Sequence, residues 1–148
     1  MNIKKILKFI LYLLPWFIST ILFRIDTSYY QSLNLPRFAP PGITFAIIWP
    51  ILYLLITYTT YKILPTNNKR YKTILLINYL SNQLYTLFFF TLKSNALALI
   101  DTIIVLISSI YLYQETKKID NKLNKYLIPY ILWNIFATIL SIAINIMN

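Results

Sequence analysis

Long apolar stretches, separated by short polar segments, form the main pattern along the chain. A bilayer core about 30 Å thick needs roughly 20 mostly apolar residues for each spanning helix. Five segments satisfy this requirement, at about 6–23, 43–64, 73–92, 96–113 and 126–147. The pattern therefore predicts an all-α integral membrane protein, in which five transmembrane helices form one bundle and a single membrane domain covers residues 1–148.

Composition supports a membrane protein over a soluble one. Hydrophobic residues make up 58% of the chain and charged residues only 12%, and the mean hydropathy is +0.61. A soluble domain usually carries about a quarter of its residues as charge. No segment has the composition of a separate soluble domain.

The first apolar stretch has two interpretations. Lys4 and Lys5 precede an apolar run, as in a secretory signal peptide. However, no small-x-small cleavage site follows, and the run continues through Trp16 to Phe23. We therefore expect this stretch to be the first span rather than a removable leader.

The basic residues predict an orientation. Alternating spans place 11 basic residues on the side of the N-terminus and three on the other side; the first group is Lys4, Lys5, Lys8, Lys62, Lys69, Arg70, Lys72, Lys117, Lys118, Lys122 and Lys125, and the second is Arg24, Arg37 and Lys93. The positive-inside rule then predicts a cytoplasmic N-terminus, and a bacterial cytoplasmic membrane is the default location. These residues lie in short runs between spans rather than on a solvated face, so a nucleic-acid partner is not expected.

Residue types also exclude several kinds of chemistry. The chain has no Cys and no His, and it has a single Gly. Disulfides, thiolate nucleophiles and imidazole metal ligands are therefore excluded, and paired carboxylates and a Gly-rich phosphate loop are absent. The sequence predicts no catalytic residues, no metal ligands and no cofactor.

The segment after the first span is rich in proline. Pro36, Pro40 and Pro41 prevent a helix from continuing backwards out of the second span, so we expect a rigid, extended lid. The second span then carries an aromatic stripe with a spacing of four residues; its members are Phe45, Trp49 and Tyr53. Helix packing and a binding wall are both consistent with such a stripe.

Two other spans carry polar side chains at helical spacing, namely Asn78, Asn82 and Tyr85 in the third span and Trp133, Asn134, Ala137 and Ser141 in the fifth. Amides inside a bilayer are costly unless they are paired, so we expect them to face the bundle interior. A ligand pocket and hydrogen bonds between helices fit this pattern equally well.

Asp101 is the only acidic residue in the interior of a span. Its position near the start of the fourth span favours a structural role, either at the positive end of the helix dipole or in a pair with Lys93. A proton relay is the alternative, because an intramembrane carboxylate is often functional.

A set of residues distributed along most of the chain resembles the TspO/MBR family, the tryptophan-rich sensory proteins related to the mitochondrial translocator protein. The resemblance is carried by Tyr30, Leu33, Pro36, Pro40-Pro41, Trp49, Leu52-Tyr53, Asn82, Phe89-Phe90, Ala98-Leu99-Ile100-Asp101, Pro129-Tyr130, Trp133, Phe136-Ala137-Thr138, Leu140 and Asn148. These residues follow the family's order with nearly gap-free spacing.

The resemblance implies a five-helix membrane bundle, often a homodimer, that binds porphyrins such as protoporphyrin IX or similar planar apolar molecules beneath the first interhelical loop. It implies a role in tetrapyrrole regulation or stress signalling, with transport of a tetrapyrrole or another metabolite and light-dependent porphyrin breakdown as alternatives. The ligand-binding positions that it implies are Tyr30, Pro40, Pro41, Phe45, Trp49, Tyr53, Asn82, Trp133 and Ala137.

The sequence also departs from the family pattern. Tyr29, Ile43 and Tyr85 stand where the family usually has Trp, which reduces its tryptophan-rich character. Ile142 and Ile146 replace the Tyr and Arg of the animal cholesterol motif, so cholesterol is not an expected ligand.

Overall fold

The computed structural model describes residues 2–148, and every secondary-structure element in this range is helical. In chain order the α-helices are α1 (Ile3–Leu13), α2 (Ile18–Leu22), α3 (Thr27–Ser32), α4 (Ile43–Ile63), α5 (Lys69–Thr86), α6 (Asn95–Ile119) and α7 (Ile128–Met147). Short 3₁₀ segments cover Leu14–Phe17, Leu64–Thr66 and Leu123–Leu127, and a π-helical turn covers Leu87–Thr91.

Four helical segments are long and apolar enough to cross a membrane, namely Ile3–Leu22, Ile43–Thr66, Asn95–Ile119 and Leu123–Met147. They correspond to four of the five predicted spans, and the all-α membrane fold is confirmed. The remaining predicted span corresponds to α5 and its π-helical turn. This helix is more polar, and it buries the amides of Asn78, Asn82 and Gln83 within the bundle.

Two helices extend beyond their predicted bounds. We expected the fourth span to end near residue 113, but α6 continues to Ile119. The extra turns are held in the bundle because the buried Glu115 pairs with Arg70 at 3.1 Å and with Lys118 at 2.6 Å. We expected the third span to begin near residue 73, but α5 begins at Lys69, where the side chain of Asn68 caps the helix by accepting from the Tyr71 amide at 2.9 Å.

The first span is broken at Pro15. Proline has no amide proton, so it removes one hydrogen bond from the helix. The chain forms a 3₁₀ turn here, in which the Ile18 amide donates to the Pro15 carbonyl, and side chains of α5 form further bonds to the backbone at the break. Tyr79 donates to the Pro15 carbonyl at 2.9 Å, and Gln83 both donates to the Trp16 carbonyl at 3.2 Å and accepts from the Ser19 amide at 2.9 Å. A defect in one helix is thus repaired by its neighbour.

The bundle is apolar outside, and its interior contains many polar side chains beside the apolar ones. Large aliphatic side chains such as Ile21 and Ile146 are about 80% exposed, whereas Asn78 is fully buried. In water this distribution would be unfavourable, because exposed apolar surface costs free energy. In a bilayer it is favourable, because lipid solvates the apolar surface and the polar groups find partners only inside the protein.

The two ends of the bundle differ in charge. One end, called the basic end here, contains the start of α1, the α4–α5 connection and the α6–α7 connection. Lys8 lies 5.8 Å from the ring centre of Tyr61 there. The opposite end, called the lid end, contains α3, the α5–α6 connection and the non-helical segment 33–42, which we call the lid.

Candidate functional site

Tyr30 attaches the lid close to the end that leads into α4. This residue lies on α3, is 7% exposed, and donates from its hydroxyl to the Pro40 carbonyl at 2.8 Å. Burial raises the pKa of Tyr30 above its ordinary value, so the hydroxyl stays protonated and remains a donor. Its ring packs edge-on against Phe45 at 5.6 Å, which connects the lid to the first turn of α4.

One flank of the lid is held by the helix α3 that precedes it. The Asp26 carboxylate caps α3, accepts from the Ser28 hydroxyl and pairs with Lys93 at 3.1 Å. The hydrogen bond from Ser28, followed by the contact with Lys93, lowers the pKa of Asp26 to about 2. The Tyr29 hydroxyl adds a contact to Asn95 at 2.9 Å, so α3 is fixed to the α5–α6 connection.

The other flank of the lid is fixed to the end of α7. The Asn34 amide donates to the side-chain oxygen of Asn148 at 2.9 Å, and the Asn148 side-chain amide donates to the Asn34 carbonyl at 3.1 Å. This reciprocal pair connects positions 114 residues apart in the chain.

Beneath the lid lies an aromatic cluster formed by α4, α7 and the lid itself. The Trp133 ring contacts Phe45 at 5.7 Å and Phe136 at 5.2 Å, and Phe136 in turn contacts Phe38 of the lid at 6.4 Å. The indole Nε1 of Trp133 is buried and has no hydrogen-bond acceptor in the part of the chain that the structure describes. An aromatic surface with one unused donor suits a flat apolar ligand that carries a few acceptors.

A second aromatic layer lies deeper in the bundle. Trp49 contacts Tyr53 at 5.5 Å and Tyr130 at 6.4 Å. Tyr53 also stacks on Trp16 of the broken first span at 5.4 Å. The predicted stripe on α4 therefore lies on the inward face of the helix, with Phe45 and Trp49 half-buried and Tyr53 buried.

Below this layer a hydrogen-bond network connects the four helices α4, α5, α6 and α7. Tyr53 donates to the Asn82 side-chain oxygen at 3.0 Å, and the Asn82 nitrogen lies 3.4 Å from the Tyr130 hydroxyl. Tyr130 donates to Asn78 at 3.0 Å, and Asn78 donates to Ser108 at 2.8 Å. Both polar atoms of the Asn82 side chain thus already have protein partners, which makes Asn82 part of the contacts between helices.

The predicted site residues fall into three groups. The lid residues Pro40 and Pro41 are half-buried and exposed, respectively. Tyr30, Phe45 and Trp133 belong to the aromatic cluster beneath the lid, and Trp49 belongs to the layer below it. Tyr53 and Asn82 belong to the deeper network, and Ala137 lies half-buried one turn after Trp133.

Sequence reasoning left Gln83 and Tyr130 out of the site. Tyr130 is fully buried and bonds to both asparagines of α5. The sequence could have indicated Tyr130, because it lies three residues before Trp133 and therefore on the same helix face. Gln83 follows Asn82 directly and is a further amide within a span, but nothing local indicated its contact with the first helix.

Asp101 is buried between α5 and α6. Its Oδ1 accepts from the Ser81 hydroxyl at 2.5 Å, and its Oδ2 has no hydrogen-bond partner among residues 2–148. The suggested pair with Lys93 is wrong, because Lys93 bonds to Asp26 instead. The short connection between α5 and α6 directs Lys93 towards the lid end, whereas Asp101 faces the bundle interior.

Two surface clefts lie away from the aromatic cluster. One, of about 490 Å³, lies at the basic end between α4 and the α6–α7 connection. The other, of about 360 Å³, lies at the lid end, and Arg24, Asp26 and Phe90 line it. Neither cleft includes Trp49 or Trp133, and the aromatic rings beneath the lid are in mutual contact.

The fold and the site define a class, namely multi-pass α-helical membrane proteins with an aromatic cluster under a proline-rich loop. The TspO/MBR family profile matches residues 9–147 of the chain. The chain therefore belongs to the TspO/MBR family, and the resemblance inferred from the sequence is confirmed. Family membership supports a role as a membrane sensor, receptor or transporter.

Similar proteins occur in bacteria and archaea. The tryptophan-rich protein TspO of Bacillus cereus is 34% identical over 139 residues, which cover 90% of this chain and 89% of that protein. The uncharacterized membrane protein YtaB of Bacillus subtilis is 38% identical over 131 residues, covering 86% and 84% of the two chains. The tryptophan-rich protein TspO of Archaeoglobus fulgidus is 29% identical over 128 residues, covering 82% and 80%.

Proposed function

We propose that this protein is a membrane receptor that binds a porphyrin, such as protoporphyrin IX, or a similar planar apolar molecule beneath the lid. In this proposal it acts without catalysis in tetrapyrrole regulation or stress signalling. The observation that carries the proposal is the buried Trp133 Nε1, a donor inside an aromatic cluster that has no acceptor among residues 2–148. A porphyrin supplies both an aromatic face and acceptor groups at its edge, so it matches both properties.

Binding requires the lid to lift. Because the rings of Phe38, Phe45 and Phe136 are in contact with one another or with Trp133, a flat ligand has to separate them. The hydrogen bond from Tyr30 to Pro40 breaks when the lid moves outward. Trp49 and Trp133 would then flank the ligand, and a role for Asn82 would require the ligand to replace one of its present protein partners.

Quenching of tryptophan fluorescence by protoporphyrin IX tests this proposal in detergent-purified protein. We expect saturable quenching in the wild type and about tenfold weaker binding in Trp133→Phe, because a buried hydrogen bond and aromatic contact area are lost together. Trp16→Phe is the matched control. It removes one fluorophore by the same substitution, but Trp16 packs against Tyr53 and Tyr79 rather than against the lid.

Equal affinities in wild type and Trp133→Phe would refute the proposed site, provided that both proteins fold. Absence of saturable binding in the wild type would refute porphyrin as the ligand. Illumination of the complex tests the enzymatic alternative, light-dependent porphyrin breakdown. That alternative requires a new absorbing product that disappears when Trp49 or Trp133 is replaced.

Transport is the second candidate, and the unpartnered Oδ2 of buried Asp101 favours it. A buried carboxylate oxygen without a partner is costly, and such groups often serve ion or proton coupling in transporters. Porphyrin flux into proteoliposomes that weakens in Asp101→Asn would support transport. Absence of flux in the wild type would eliminate it.

We also propose that the basic end is cytoplasmic, in a bacterial cytoplasmic membrane, as the positive-inside rule predicts. Because the chain has no cysteine, a single exposed cysteine reports the orientation directly. In intact cells, Asn67→Cys in the α4–α5 connection should react only with membrane-permeant thiol reagents. Labelling by an impermeant reagent would reverse the proposed orientation.

A further inference from the structure

The cleft of about 490 Å³ at the basic end is lined by two similar pairs of residues. Tyr58 and Lys62 lie four residues apart near the end of α4, and Lys122 and Tyr126 lie four residues apart just before α7. Each wall therefore presents one tyrosine and one lysine. The apolar part of the lining comes from Ile63, Ile119 and Leu123.

The two lysines of the cleft have no anionic partner among the residues that the structure describes. The ion pairs within residues 2–148 are Arg70–Glu115, Lys118–Glu115 and Lys93–Asp26, and none of them includes Lys62 or Lys122. The acidic residue in the lining is Asp120, and its Oδ1 accepts from the Lys122 and Leu123 amides at 2.8 and 3.3 Å. The cleft thus offers two free ammonium groups to an anion.

The two tyrosines are arranged as in a membrane interface. Their rings meet edge-on at 4.9 Å, and the Lys62 ammonium lies 5.9 Å from the Tyr58 ring centre. Tyr126 is 43% exposed, and neither tyrosine hydroxyl takes part in a hydrogen bond within the described chain. Tyrosine at this depth places its ring among acyl chains and its hydroxyl among headgroups.

We propose that this cleft binds the phosphate of an anionic phospholipid. Lys62 and Lys122 would pair with the phosphate oxygens, and the hydroxyls of Tyr58 and Tyr126 would donate to them. The apolar lining would contact the glycerol and the upper acyl chains. A lipid is favoured over a soluble phosphate because the cleft lies where the membrane-spanning segment Ile43–Thr66 ends, which is the level of the headgroups.

Native mass spectrometry of the full chain in neutral detergent, titrated with phosphatidylglycerol or phosphatidylcholine, tests the proposal. We expect phosphatidylglycerol to bind more tightly than phosphatidylcholine. The double variant Lys62→Gln/Lys122→Gln should weaken the binding of phosphatidylglycerol about 10- to 30-fold, because each of the two lysines contributes a similar part of the attraction to the anionic headgroup. Tyr58→Phe/Tyr126→Phe should weaken it about threefold. Circular dichroism checks that each variant keeps its helices, and Lys122→Gln alone provides the test if the double variant does not fold.

The control is Lys4→Gln/Lys117→Gln, which removes the same charge from exposed positions of the basic end outside the cleft. It should change the affinity by no more than about twofold. Equal losses in the two double variants would show that diffuse charge binds the lipid, which overturns the site. Displacement of the lipid by millimolar glycerol 1-phosphate would assign the cleft to a soluble phosphate, and equal affinity for the two lipids would refute recognition of the anion.

Discussion

Replacement of Tyr130 by phenylalanine removes one oxygen atom from the centre of the hydrogen-bond network. The hydroxyl donates to Asn78 at 3.0 Å and lies 3.4 Å from the Asn82 nitrogen, so the change breaks one good and one weaker bond between helices. Side-chain hydrogen bonds between membrane helices contribute about 0.6 kcal/mol on average and at most about 1.7 kcal/mol. We therefore expect Tyr130→Phe to lower the free energy of unfolding by about 1 to 2 kcal/mol.

Equilibrium unfolding in mixed micelles, with SDS as the denaturant and circular dichroism as the readout, measures this change. Tyr111→Phe is the matched control, because Tyr111 is 45% exposed on α6 and makes no side-chain hydrogen bond within residues 2–148. The control should stay within about 0.5 kcal/mol of the wild type. If Tyr130→Phe also stays within that margin, the network does not stabilise the bundle and our reasoning fails.

A double-mutant cycle separates the contribution of the Tyr130–Asn78 hydrogen bond from the other contributions of Tyr130. If the hydroxyl acts through Asn78, Tyr130→Phe should cost less in an Asn78→Ala background than in the wild type, by about 0.5 to 1 kcal/mol. Strictly additive losses would mean that the two side chains act independently, despite their 3.0 Å separation.

Three further predictions concern the lid and the first span. The pKa of Asp26 is lowered to about 2 from an ordinary 3.8. The contribution of its carboxylate to the stability of the folded lid end is therefore complete above about pH 4 and is lost as the pH falls towards 2. The rate of pepsin cleavage within the lid, normalised to that of an unstructured peptide, should therefore rise in the wild type as the pH falls from about 4 to about 2. In Asp26→Asn the rate should be high at every pH in this range. A flat wild-type profile would contradict the prediction. Gln83→Ala should lower the free energy of unfolding in the SDS titration by about 1 to 2 kcal/mol, because it removes two buried hydrogen bonds to the first span. The control Gln114→Ala, at an exposed position, should change it very little. Similar losses in the two variants would contradict the conclusion that Gln83 stabilises the helix break. Asn148→Ala should accelerate tryptic cleavage after Arg37 about fivefold, because it removes both side-chain bonds to the Asn34 backbone. An unchanged rate would show that this pair does not restrain the lid.

The main architecture could be predicted from the sequence because lipid imposes a simple rule. Any segment that crosses the bilayer must be long, apolar and helical, and a count along the chain detects these properties. The same count did not predict the helix bounds correctly where polar residues are buried by partners that are distant in the chain. α6 extends to Ile119 because Glu115 meets Arg70 of another helix, and no local pattern reports a pairing over 45 positions.

The candidate site shows the same division between residue type and partner. The amide type of Asn82 placed it correctly in the interior, since an unpaired amide is costly in lipid. Its partners could not be predicted, because Tyr53 and Tyr130 reach it from positions 29 and 48 residues away. The two interpretations of the polar face, pocket and helix contact, can be distinguished only by knowing which side chains are already bonded.

The break at Pro15 has a consequence for the biogenesis of the protein. The first span enters the membrane before α5 has been synthesised, so the Trp16 carbonyl and the Ser19 amide lack their partner Gln83 at that stage. Gln83 follows more than 60 residues later and supplies both bonds, and Tyr79 adds a second donor to the Pro15 carbonyl, which already accepts from the Ile18 amide. The first span therefore reaches its final shape only after α5 has been inserted. A truncated chain that ends before α5 would leave polar backbone groups at the break without these partners in lipid, where an unpaired backbone group is costly.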